Sequence, residues 1–95
     1  MQFYLRPDEL QFLANVLLEQ DLKQYGEILN KVMARDLRFD AGELLDTSTI
    51  LETKKQSLRS EIAAQPGAAR KATLESKLEL LERVLDRVNE ACVMF

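Results

Sequence analysis

Histidine and tryptophan are absent from this 95-residue chain, and it has one cysteine. Without histidine it lacks the commonest general base and the commonest metal ligand. A Ser-His-Asp or Cys-His arrangement cannot be assembled within it. A zinc site would want more cysteine or histidine than is present, and the Glu-x-x-His pairs of di-iron bundles are excluded. No enzymatic activity, metal or cofactor is therefore expected. One cysteine closes no internal disulfide, so nothing points to an oxidising compartment. With two prolines and three glycines, there is little room for long loops. No apolar run approaches the ~18 residues of a membrane span. Met1–Asp8 lacks the basic start and long apolar stretch of a secretion signal. A cytoplasmic protein is expected.

The net charge is −3 and the pI is near 5.0. That sign argues against general binding to nucleic acid or anionic membrane. Nearly half of the residues are apolar and about a third are charged, a globular rather than a disordered composition. Leu, Ala, Glu, Gln, Lys and Arg dominate, and all are good helix formers. The length suits one domain over residues 1–95, with little margin for a core unless a partner adds to it.

The main pattern lies in the last third. Leu74, Leu78, Leu81, Leu85, Val88, Cys92 and Phe95 alternate at four- and three-residue spacing, which keeps one apolar seam on one side of a coiled-coil-like helix. Such a helix is expected from about Ala68 to Val93. Leu80, Val84 and Ala91 form a second stripe beside the seam, and two stripes suit two neighbours. The second neighbour is either within the chain or another protein. Leu80, Val84, Ala91, Met94 and Phe95 are the candidate partner-binding residues. Cys92, lying in the seam, is read as a small core residue.

Earlier in the chain, Pro7 suits a first helical position, and Asp8 and Glu9 suit the positive end of the helix dipole. Leu10, Ala14, Leu17, Tyr25, Ile28 and Val32 form a stripe whose phase predicts one straight helix over 7–36. A break near 20–26, where Asp21 and Gln24 could cap a new helix and Gly26 weakens an old one, is the alternative. Asp40 with Glu43 reads as a capping box, and Phe39 with Leu44 as its hydrophobic staple. The seam that follows is Leu44, Ser48, Leu51, Lys55, Leu58 and Ile62. Its two polar members mark either a bundle edge or a register device. Gln65-Pro66-Gly67 ends that helix. The expected fold is all-α, an antiparallel bundle of three long helices, or four if the first breaks. The short lead-in before Pro7 would pack Phe3 or Leu5 on the bundle.

Charged groups offer little chemistry. Glu75, Glu79, Glu82 and Asp86 are interleaved with Lys77, Arg83 and Arg87, which reads as a solvated face, with Glu79–Arg83 and Glu27–Lys31 as i,i+4 pairs. Lys54, Lys55, Arg59, Arg70 and Lys71 gather near the Pro-Gly turn. Thr47-Ser48-Thr49 should bond back to the preceding turn or to a neighbouring helix. The function expected is a protein–protein interaction or scaffold module, self-associating as a homodimer or binding another protein. The alternative is a small nucleic-acid regulator using the basic patch.

Overall fold

The computed structural model describes residues 4–20 and 22–94. It contains α1 (Pro7–Leu18), α2 (Leu22–Met33), α3 (Ala41–Ala64) and α4 (Ala68–Met94), with no strand among the described residues. The all-α bundle is as expected, in its four-helix form.

The expected single helix over 7–36 is wrong. The chain turns at Glu19–Gln20, where two N–H groups reach back only three residues, Glu19 to Val16 and Gln20 to Leu17. Periodicity is a local signal, and a short turn that restores phase looks the same in sequence as a straight helix. The hairpin is favoured because it hides the apolar face of α2. Ile28, Leu29 and Val32 are buried, as are Leu13, Ala14, Val16 and Leu17 on α1. The candidate cap at Asp21 lies outside the described residues.

The other boundaries follow their signals. Pro7 is the first residue of α1. Asp40 and Glu43 bond reciprocally at 2.7 and 3.0 Å, and the stapling pair Phe39 and Leu44 is fully buried. The end of α2 carries a feature with no clear sequence signal. Arg35 has φ 58°, Asp36 N–H bonds to Lys31 C=O, and Arg35 N–H bonds to Val32 C=O. This is a Schellman stop with arginine where glycine is usual. Leu37 and Phe39 then turn inward. Lys31 secures the turn, donating to Glu43 at 2.6 Å and to the Arg38 carbonyl at 3.1 Å, with its ammonium 5.8 Å from the Phe39 ring centre. The expected Glu27–Lys31 pair does not form, because Lys31 reaches across to α3 instead.

The two halves of the fold differ in length. α1 and α2 have 12 residues each, α3 has 24 and α4 has 27. At 1.5 Å per residue these are roughly 18, 36 and 40 Å, so α1 covers only half of the α3–α4 hairpin. The cause is visible on the covered face. It is apolar at Ile50, Val84 and Val88, which are buried. One or two turns further out the same face carries Lys54, Glu61 and Lys77. A third helix has little apolar surface to bury there. No residue from Arg59 to Leu80 is buried, although Ile62, Leu74, Leu78 and Leu80 are half-buried between the two helices. The distal hairpin is therefore a two-helix arm extending from a packed body.

The core is one cluster. It includes Leu5 from the lead-in as expected, Leu51 and Leu58 from α3, and Leu81, Leu85 and Val88 from α4. Phe3 lies outside the described residues.

Candidate interaction site on the α3–α4 hairpin

The two polar seam positions of α3 behave differently. Ser48 Oγ donates to Asn89 Oδ1 at 3.0 Å across the hairpin, so it fixes register. Lys55 is half-buried and no hydrogen bond or ion pair forms on it among the described residues. Thr47 and Thr49 bond back to the carbonyls of Glu43 and Leu45, as anticipated for that polar run.

The Ser48–Asn89 bond also defines an exposed groove. Leu45 and Glu52 lie three residues before and four after Ser48, on its side of α3. Val93 and Asp86 are the matching neighbours of Asn89 on α4. Because the helices are antiparallel, Leu45 is level with Val93 at one end, and Glu52 with Asp86 at the other. Leu45 is 64% exposed and Val93 is 87% exposed. Asp86, Asn89, Glu90 and Val93, all on α4, line an open surface depression of about 470 Å³.

Of the candidate partner-binding residues, Val84 and Ala91 are buried within the chain itself. Leu80 is half-buried. The side chain of Met94, and Phe95, lie outside the described residues. Cys92 corrects its expectation: it is exposed, not core.

The basic patch is divided. Lys54 pairs with Glu19 at 3.1 Å, and Arg59 stands 3.8 Å from Glu82, so two of its five cations face carboxylates. Arg70 and Lys71 are exposed at the arm tip. Where α1 ends, a second cleft of about 150 Å³ has Phe12, Val16, Leu58 and Leu74 for a floor and Lys54, Glu61 and Lys77 at its rim.

The most notable residue that sequence reasoning missed is Glu9. It is fully buried, with Oε1 accepting from Arg6 N–H at 2.8 Å and Oε2 from Arg87 Nε at 3.3 Å. Nothing local distinguishes it from the other acids of a first turn; its partner is 78 positions away. On the α2–α3 turn, the hydrogen bond from Arg38 holds the Asp36 carboxyl below the usual 3.8, and reciprocally raises Arg38. The bond to Glu43 raises Lys31 above 10.5.

The described residues include no group of three or more His, Cys, Asp or Glu placed to hold a metal ion. No described helix is long and apolar enough to cross a membrane. Comparison with protein-family models, curated proteins and solved structures returns no match.

Proposed function

We propose that this chain is a small non-enzymatic interaction module, cytoplasmic in setting, that works by receiving helices of other protein chains, a second copy included. The observation that carries the reading is the uncovered hairpin. Twenty-two successive residues, 59–80, contain no buried side chain, yet the arm is held straight by a seam of half-buried leucine and isoleucine. On the flank away from Lys54, Glu61 and Lys77 the hairpin is uncovered as well, with Leu45 and Val93 exposed at its near end, and a rigid pair of helices with such a free flank is a surface suited to docking another helix. A sequence without histidine lacks the commonest general base, which favours a binding role.

A photoreactive residue placed at Gln56 or Ala72, both exposed on the hairpin, should yield protein adducts in native extract. The same residue at Gln24, exposed on α2, should not. Equal labelling from all three positions would remove the hairpin from the proposal. Sedimentation velocity over a range of concentrations tests the self-association component separately; a strict monomer rules out the homodimer.

A further inference from the structure

The residues at the turn between α1 and α2 favour helix. No glycine or proline stands between Leu18 and Leu22, and Glu19 already has right-handed helical angles, φ −80° and ψ −9°. By contrast, Pro66-Gly67 breaks the α3–α4 link, and the left-handed Arg35 breaks the α2–α3 link. The charges also suit a continuous helix better than two ends. α1 has no basic residue in its last turn and is followed by Glu19; α2 has no acidic residue in its first turn, which carries Lys23. Both choices run against the dipole of a separate helix, whereas Glu19 and Lys23, acid first at i,i+4, support an unbroken one. Leu18 and Leu22 are an apolar i,i+4 pair, yet they are 55% and 49% exposed. The stripe Leu10, Ala14, Leu17, Tyr25, Ile28 and Val32 keeps its phase across the turn. A straight helix would therefore present the faces that now pack α1 and α2 together as one seam.

We infer that α1 exchanges between two copies of this chain, with the turn at Glu19–Gln20 straightening so that residues 7–33 form one helix. α2 packs on α1, and α1 on α3 and α4. An α1 from a second copy restores the contacts that α1 makes in the closed chain, the Glu9–Arg87 pair included. The two long helices then lie antiparallel along the shared seam. Leu18 and Leu22 flank its middle, where the opposite pair covers them. The exchanged helix also covers the arm. α1 runs from Arg87, which Glu9 meets, to Lys54, which Glu19 meets at 3.1 Å, so its axis points towards the arm tip. Continued at about 1.5 Å per residue, it brings Lys23 level with Glu61 and Glu27 level with Arg70. These opposite charges extend the series begun by Glu19 and Lys54. Asp21 is the polar member of the stripe in the sequence, and two carboxylates meeting near the middle of the seam oppose the exchange, which keeps the closed chain competitive. The inference rests on the second-copy part of the proposed function and names the helix that is received.

The test refolds the chain from urea at low and at high concentration, separates the species by size exclusion and measures their masses by sedimentation equilibrium. Spin labels at Gln11→Cys and Met33→Cys, in a Cys92→Ser background, report the form. Both positions line one cleft in the closed chain, whereas in a straight helix they are about 33 Å apart. Labelled chain is mixed with excess unlabelled chain before refolding, so that only distances within one chain are read. A dimer enriched at high concentration should give the long distance, and the monomer the short one. Glu19→Gly with Gln20→Gly should weaken the dimer about a hundredfold, since four glycines enter the two straight helices. Leu18→Ser with Leu22→Ser should weaken it about tenfold. Circular dichroism should show that the monomer of each variant still folds. Asp21→Asn should strengthen the dimer, because asparagine caps a helix as well as aspartate does and only the repulsion is removed. A strict monomer at every concentration overturns the inference, although hairpin adducts from such a chain would still uphold the interaction module. A dimer that keeps the short distance within one chain, or that the glycine pair leaves unchanged, overturns it while leaving self-association standing.

Discussion

Arg87→Ala tests the contact that ties the start of α1 to α4. Glu9 is fully buried while Arg87 is 43% exposed. The cost of the change is therefore not the surface ion pair itself, which would be small, but the condition in which it leaves Glu9. Oε1 keeps its bond from Arg6 N–H at 2.8 Å. Oε2 loses its donor, and a buried acceptor without a partner costs about 1–3 kcal/mol. The larger losses seen when fully buried pairs are broken, about 3–5 kcal/mol, do not apply, because water can reach the Arg87 side of the contact. Roughly 2 kcal/mol is expected, which for a domain of this size lowers the melting temperature by about 8–16 °C.

The comparison that makes the test sharp is Arg83→Ala. Arg83 is the same residue type one turn earlier on the same helix, and its partner Glu79 is exposed. That change should cost no more than about 0.5 kcal/mol. In a cycle with Glu9→Ala, the Arg87 and Glu9 changes should be non-additive by about 1 kcal/mol, because both remove one contact. Thermal and urea unfolding give the numbers. Equal losses from Arg87→Ala and Arg83→Ala, or strict additivity with Glu9→Ala, would refute the claim that burial of Glu9 sets the cost.

Other outcomes follow from single features. Arg35→Gly should stabilise the chain by about 1 kcal/mol, since a side chain in the left-handed region is strained and glycine is not; a lower melting temperature would show that the arginine side chain contributes more than its backbone costs. Leu81→Ala should destabilise by about 2–5 kcal/mol as a fully buried deletion, against about 0.5 kcal/mol or less for the exposed Lys77→Ala, so equal melts would mean the faces are misassigned. The Asp36 carboxyl is held below its usual 3.8 by Arg38, so the stability it adds is present above that pH and is lost as pH falls through the lowered value. Asp36→Asn should thus separate from the parent at neutral pH and converge with it in acid; curves that stay parallel down to low pH would count against the pairing.

Features that depend on residues close together in sequence were legible before any coordinates. The Asp40–Glu43 box, the Phe39–Leu44 staple, the Pro7 start and the Pro66 stop each need only four or five residues, and each holds in the structure. The seam of α4 was legible at Leu81, Leu85 and Val88, which are buried, but not at Cys92, which is exposed, because a seam indicates which side of a helix is apolar and not which of its members a neighbour covers. A break near 20–26 was legible as the alternative, from Asp21, Gln24 and Gly26, but a stripe that keeps its phase favoured the straight helix, and the chain turns at Glu19–Gln20. Glu9 was hidden because its burial depends on where α4 passes. Val84 and Ala91 illustrate the same limit: an apolar stripe asks for cover without naming the neighbour that supplies it, and here the chain itself buries them.

The extent of α1 links these points. Its twelve residues end where the hairpin face changes from Ile50, Val84 and Val88 to Lys54, Glu61 and Lys77, and four substitutions there would test whether surface chemistry or chain connectivity ends the three-helix body. If chemistry decides, a chain with Lys54, Glu61, Arg70 and Lys77 changed to leucine would gain helix as α1 lengthens over the arm, and would stay monomeric; if connectivity decides, the same chain would expose a long apolar face on the arm. It would then self-associate through that face, because the turn at Glu19–Gln20 prevents α1 from extending to cover it. The parent, with its arm polar on this side, should not associate there. The charged residues on the covered side of the hairpin leave a third helix of the chain little to bury there.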